Sequence, residues 1–251
     1  MTPRTVFITG ASSGLGRGLA LHYARAGAAV HAVARRKAEL DSLAAEAPEG
    51  RVLPVVLDVT DSEKLVAAIH RAEAADEGAL DLVIANAGVG ATTNARKMDW
   101  TAVKRTFEVN TTAAAVTIAA ALPAMVARDA GHVVAVSSLA AFRGMPGHAA
   151  YCASKAALHV FMESLRVDLR GTGVQATTIY PGFVKTEMTA KNKFPMPFLM
   201  ELDDAVRVMA RGIEKGKATI AYPLPLVAMV RSLGALPRAV YEPIAGRSRM
   251  S

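Results

Sequence analysis

The stretch "AAYCASKAALHVF" at residues 149–161 places Tyr151 and Lys155 four residues apart. On a helix this spacing holds a phenol and an ammonium on one face, about one turn from each other. Taken alone, the pair is open to two readings, a half-exposed surface pair or a proton-handling one. A free phenol titrates near about 10, too high for efficient acid–base work near neutrality, and a neighbouring cation favours the phenolate.

The elements that must carry this pair follow a βαβ rhythm. Short β-branched runs, "TVFITG", "AAVHAVA", "RVLPVVLDV", "LDLVIANAG", "GHVVAVSS" and "GVQATTIYPG", alternate with helical patterns such as "GRGLALHYARAG" and "DSEKLVAAIHRAEAA". Near-continuous apolar strands belong to a parallel sheet covered on both faces. The expected fold is α/β, a doubly wound parallel sheet in three αβα layers. The chain of 251 residues suits one such domain, 1–251. A change of character after Phe194 marks a small C-terminal substrate-loop region, with a loop at about 185–202 and a variable tail at about 218–251. A helix over 203–216 is expected from its acidic start and Lys-Gly end.

"VFITGASSGLGRGLA" sets Gly10, Gly14 and Gly16 between a strand and a helix, where a glycine turn brings backbone N–H groups and a helix N-terminus to a pyrophosphate. The Thr9-Gly10-x-x-x-Gly14-x-Gly16 spacing differs from G-x-G-x-x-G. It resembles the turn of the short-chain dehydrogenase/reductase family. "NAG" at 86–88, Asn110, Ser138, Tyr151-x-x-x-Lys155, "PG" at 181–182 and Thr186 follow in that family's order, so the resemblance covers roughly residues 4–190.

The resemblance implies a Rossmann-type sheet and a nicotinamide cofactor met by Gly10, Ser12, Ser13, Gly14, Leu15, Gly16, Asp58, Val59, Asn86, Ala87, Gly88, Tyr151, Lys155, Pro181, Gly182, Val184 and Thr186. Ala34 stands where an NAD-preferring member carries an acidic residue, and Arg35 follows it. An arginine pairs with a 2′-phosphate, so NADP(H) is favoured, with NAD(H) as the alternative and Arg35 and Arg36 as ordinary surface charges the bland reading. Asp58 resembles an adenine-contacting aspartate, or else caps the helix starting near Asp61. Asn86 either meets the cofactor or ties neighbouring strands. Thr186 either binds the carboxamide or caps a helix.

Hydride transfer to a carbonyl leaves an alkoxide, which needs a proton and a stabilised oxygen. The resemblance makes Tyr151 the general acid in reduction and the base in oxidation. Lowering its pKa by about three units takes roughly 4 kcal/mol, which requires both Lys155 and an oxidised nicotinamide close by. By resemblance Ser138 bonds the substrate oxygen, and Asn110 bends its helix and holds a water behind Lys155. Pocket candidates are Ser138, Leu139, Phe142, Met145, Tyr151, Phe183 and Met188, with Val89. Most are apolar, which suggests a hydrophobic ketone, aldehyde or secondary alcohol. Met188, Met196, Met200 and Met209 suit either a plastic lid or ordinary packing. His148 is read as polarity at the helix start, and Cys152 as a small buried residue.

Composition narrows the remaining classes. Hydrophobic residues make up 52% and charged ones 20%, which excludes disorder for the whole chain. The single cysteine rules out an intramolecular disulfide framework and a cysteine-based zinc site, so no metal is expected. "MTPRTVFITG" has no signal-like h-region, and a cytoplasmic protein is expected. The net charge of +7 includes Arg231, Arg238, Arg247 and Arg249, but no basic run with interleaved aromatics points to nucleic acid. The apolar segment 218–230 is too short to span a membrane. The resemblance implies that segments 99–128 and 149–171 can form a homodimer, so a dimer or a monomer is expected, and the tail through 222–240 can alternatively touch a membrane surface. The rival functional reading is a catalytically silent NADP-binding sensor or scaffold. Sugar-nucleotide epimerases share the Tyr-x-x-x-Lys pair but have a different glycine turn and a larger C-terminal domain.

Overall fold

A computed structural model describes residues 3–75, 80–90, 93–192 and 194–247, without the side chains of Lys191 and Arg247. Arg249 therefore lies outside the described residues. Seven strands form one parallel sheet in the order β3-β2-β1-β4-β5-β6-β7. They are β1 (Thr5–Thr9), β2 (Ala29–Ala34), β3 (Val52–Val56), β4 (Leu82–Ala85), β5 (Gly131–Val136), β6 (Val174–Pro181) and β7 (Thr219–Tyr222).

Period-2 alternation divides the strand side chains between two cores. Val6 and Ile8 of β1, Val30 and Ala32 of β2, and Leu82 and Ile84 of β4 face helices α1 (Gly14–Arg25), α2 (Lys37–Glu46) and α7 (Leu202–Glu214). Phe7, Val33, Val83 and Ala85 face the opposite way. They pack with α3 (Ser62–Ala75), α5 (Ala113–Ala127) and α6 (Ala149–Asp168). This is the three-layer, doubly wound architecture expected from the apolar strands. The helix α4 (Trp100–Phe107) runs into α5 through a π-helical segment, Glu108–Thr112. The stretch Trp100–Ala127 is long and apolar enough to cross a membrane by length and composition. In the fold it is the crossover from β4 to β5, and it buries Ala113, Ile118, Ala121 and Met125 in the second core.

Strand order reverses between β1 and β4, so their carboxyl ends open the crevice in which such sheets bind ligands. The tail adds structure that periodicity did not reveal. β7 extends the sheet, and Pro223 and Pro225 give way to α8 (Leu224–Ala235) and then α9 (Arg238–Arg247). Pro225 lies in the first turn of α8, where its missing N–H removes no helical hydrogen bond. Leu226 and Val227 of α8 join Leu139 and Tyr180 in a third small core, against which Phe142, Phe183 and Val230 pack.

Candidate active site

The glycine turn closes on β4. Gly10 has φ +70°, and a Cβ there would lie 2.8 Å from the Ala87 Cα. A Cβ on Gly16 would overlap both the Gly10 carbonyl and the Asn86 amide nitrogen. Only glycine satisfies the positive φ and the two close approaches without strain. Asn86 donates from Nδ2 to the carbonyls of Thr9 (3.0 Å) and Gly10 (3.3 Å). The Thr9 hydroxyl accepts the N–H groups of Asn86 and Ala87, each at 3.1 Å. Asn86 thus ties β1 to β4, the structural role that was one of its two readings.

The start of α1 fits an anionic group. No side chain caps it at Ser13, and its first turn holds no acidic residue, so the N–H groups of that turn are uncapped by side chains. Thr186 stands over this turn, its Cγ2 3.2 Å from a Cβ built on Gly14. Thr189 holds Thr186 in place: its hydroxyl accepts from the Thr186 N–H at 3.0 Å and donates to the Val184 carbonyl at 2.6 Å. Val184 itself is buried and bridges to Met200. Pro181 ends β6, and the Gly182 N–H donates to the Tyr222 carbonyl at 2.8 Å. Leu15 packs on the first core and Val59 is buried in the second.

Past Ala34 the two arginines part company. Arg35 is exposed and lies 3.6 Å from Asp58. Arg36 instead turns onto the glycine turn, with Nε and Nη2 donating to the Ser12 hydroxyl at 3.2 and 3.1 Å. Sequence reasoning singled out Arg35 and passed over Arg36. Asp58 does not cap α3, since Asp61 accepts the Lys64 N–H in that role. Burial works to raise the Asp58 carboxyl, but hydrogen bonds from the Thr60 N–H, Arg105 and the Thr60 hydroxyl outweigh it and hold the group at about 2.

The residues expected to handle the proton lie at the carboxyl ends of β4 and β5. Ser138, just past β5, accepts the Ala140 N–H at 3.1 Å and neighbours the Tyr151 phenol. Burial pushes the Tyr151 phenol up, and the Ser138 side chain opposes that shift. Lys155 is buried and donates to the Val136 carbonyl at 2.8 Å, and burial brings its ammonium down to about 8. Its Nζ lies 3.5 Å from a Cβ built on Gly88, so the Gly88 backbone faces the ammonium directly. In this geometry the helical spacing brings Tyr151 and Lys155 to one crevice, while each side chain has its own neighbour.

Asn110 sits within the π-helical segment, fully buried. Its Oδ1 accepts the Val89 N–H at 2.8 Å, and its Nδ2 donates to the Val89 carbonyl and the Ser154 hydroxyl, both at 3.0 Å. Ser154 in turn donates to the Tyr151 carbonyl at 2.8 Å. The amide therefore clamps the strand-four loop to the helix that carries Tyr151 and Lys155. Ser154 had no sequence signal beyond its place between them.

Of the pocket candidates, Leu139 is buried in the third core and Phe142 stacks beside Tyr180, ring centres 4.9 Å apart. Both pack beneath α8. Met188 is exposed, its Cγ and Sδ 3.7 Å from a Cβ built on Gly90, and Val89 packs against the second core. Phe183 meets Phe194 at 6.0 Å, and Phe194 also meets His148. Met145 is half-buried, and its carbonyl accepts the His148 N–H at 3.1 Å. Cys152 is buried and its thiol is pushed up by that burial, which suits packing and not nucleophilic chemistry. Among the described residues no cluster of three or more His, Cys, Asp or Glu could hold a metal ion.

Comparison with known proteins agrees with this geometry. An uncharacterized oxidoreductase of Myxococcus xanthus is 55% identical over 251 residues, covering 99% of both chains. An uncharacterized oxidoreductase of Mycobacterium tuberculosis is 36% identical over 244 residues, covering 94% of this chain and 95% of that one. A short-chain dehydrogenase from Sphingobium yanoikuyae, solved with NADPH, superposes with a TM-score of 0.81 at 26% identity, over 98% of this chain and 97% of that one. A short chain dehydrogenase/reductase from Burkholderia phymatum, solved with NAD, has the same fold, with a TM-score of 0.83 at 24% identity over 99% and 96% of the two chains. The family model of the short chain dehydrogenases matches residues 4–195, and the chain belongs to that family of nicotinamide-dependent oxidoreductases.

Proposed function

We propose that the protein is an NADP(H)-dependent carbonyl reductase or alcohol dehydrogenase acting on a hydrophobic substrate, with Tyr151 as general acid and base. One observation carries this reading: the buried Lys155 ammonium faces Gly88 past the end of β4 and is anchored to Val136 at the end of β5, on the same helix that sets the Tyr151 phenol beside Ser138. The glycine turn fits the cofactor's pyrophosphate because its crossing is too tight for any Cβ and its helix start carries no side-chain cap. A bound nicotinamide supplies or accepts the hydride. Ser138, anchored by the Ala140 N–H, orients the substrate oxygen, and the neutral Tyr151 phenol gives that oxygen its proton in reduction. In oxidation the phenol must first lose its proton, which burial opposes and a nearby cation favours. Lys155 is the cation at hand.

The phosphate preference rests on Arg35 and Arg36 beyond Ala34, with Arg36 already bonded to the glycine turn. Val89, Phe183 and Met188 offer an apolar wall. A homodimer through α4–α5 and α6 and a cytoplasmic location complete the reading. The test is NADPH consumption over a panel of aldehydes, ketones, steroids and quinones, run beside NADH and beside Tyr151→Phe. We expect turnover with NADPH in the parent and a loss of about 10²–10⁴-fold in the variant, with cofactor binding retained. A parent that binds the cofactor yet turns over no carbonyl would instead favour a silent binding protein.

A further inference from the structure

The Arg36 guanidinium is already occupied. Besides its two bonds to Ser12, its Nη1 donates to Oε2 of Glu187 at 3.1 Å, across 151 residues of sequence. Ser12 belongs to the glycine turn, and Glu187 follows Thr186 in the segment after β6. One guanidinium thus fastens the front of the 185–202 loop to the cofactor turn. The neighbouring cation, Lys185, is turned to Glu201. The position of Glu187 is set from behind by the Thr186–Thr189 turn and by Thr186 resting on Gly14.

A carboxylate at Arg36 has the same sign as a phosphate and takes donors that a phosphate would use. Both cannot hold the guanidinium fully, because like charges sharing one cation repel. We propose that Glu187 is a specificity-determining residue: it is an internal competitor for Arg36, so that a 2′-phosphate displaces it and unfastens the 185–192 segment from the glycine turn. This rests on the NADP(H) reading above. It makes the preference for the phosphorylated cofactor weaker than two adjacent arginines alone would give, and it links phosphate recognition to the loop bordering the apolar pocket.

The test uses adenosine 2′,5′-bisphosphate, which carries the 2′-phosphate, and ADP, which does not. Titration calorimetry of the full chain and of Glu187→Gln measures both ligands, and hydrogen exchange follows residues 185–192. Removing the Glu187 charge, which stands 3.1 Å from the Arg36 guanidinium, in a partly aqueous site should tighten bisphosphate binding about five- to tenfold, leaving ADP unchanged. Exchange in the parent should rise with the bisphosphate and not with ADP. Equal affinities of parent and variant for the bisphosphate, an equal gain for ADP, or unchanged exchange would each overturn the role of Glu187 while leaving the cofactor reading intact. If neither protein binds the bisphosphate and both bind NADH, the NADP(H) reading falls as well. Binding by the variant alone would support the competition in its strongest form.

Discussion

Lys155 donates to the carbonyl oxygen of Val136 at 2.8 Å, so the buried ammonium is anchored to β5 and not to the phenol one helical turn away. Burial lowers this ammonium from 10.5 to about 8. Between those values the unfolded chain binds the proton that the folded chain has released. Stability therefore rises with pH across that window, and below about 8 the fold carries the cost of a buried charge. We expect the stability of the parent relative to Lys155→Met to climb from pH 8 to 10.5 by up to roughly 3 kcal/mol. Denaturant unfolding of both proteins across this range checks it, and a flat difference would mean that the ammonium is solvated.

Asn110 satisfies both backbone polar groups of Val89 with one amide. Asn110→Leu would leave a buried N–H and a carbonyl without partners, at about 1–3 kcal/mol each. A loss of about 2–5 kcal/mol in chemical denaturation is expected. Tyr151 and Lys155 should lose their register with β4, so the remaining folded protein should also bind NADPH more weakly. Asn110→Asp keeps Oδ1 for the Val89 N–H but sets a carboxylate oxygen against the Val89 carbonyl in a buried site, so near neutral pH it should cost at least as much stability.

Arg143 holds the C-terminal helices to the loop after Ser138. It donates to the carbonyls of Gly234 (3.1 Å) and Leu236 (3.3 Å), and its guanidinium lies 4.2 Å from the Tyr241 ring centre. The Tyr241 hydroxyl returns a bond to the Gly144 carbonyl at 2.5 Å. Arg143→Ala should cost about 1–3 kcal/mol and speed tryptic cleavage in α8–α9. The expected kinetic signature is a raised KM for bulky carbonyls with the KM for NADPH unchanged. A shift in both would place the tail's influence on the cofactor side.

Arg36 and Arg35 differ in what they touch, and so should their variants. Arg36→Gln removes the guanidinium at the glycine turn and should reduce NADPH affinity about 10- to 100-fold with little effect on NADH. Arg35, 62% exposed and 3.6 Å from Asp58, should matter several-fold less when changed to glutamine. Fluorescence titration with the two cofactors checks the order. The reverse ranking would return the phosphate to Arg35, the residue that the sequence alone suggested.

The parts of this protein legible without coordinates are those governed by local rules. Period and composition specify the strands because each parallel strand must be apolar on both faces, and Val6, Phe7 and Ile8 do face two cores in turn. Spacing alone puts Tyr151 and Lys155 on one helical face, and the order of Gly10, Asn110, Ser138 and Tyr151 identifies the family. What tertiary structure decided are the choices between chemically equal neighbours and the pairings across long sequence separations. Arg35 and Arg36 are the same residue type side by side, and only the turn of the chain after β2 sends one to Asp58 and the other to Ser12 and Glu187. Leu139, Phe142 and Phe183 read as pocket walls in the sequence, and only the structure adds that α8, which begins about 85 residues after Leu139, packs with them in a third core. A side chain's type states which interactions it can make. Its partner depends on which distant segment folds against it, and that competition is settled only when the whole sheet and its crossovers are in place.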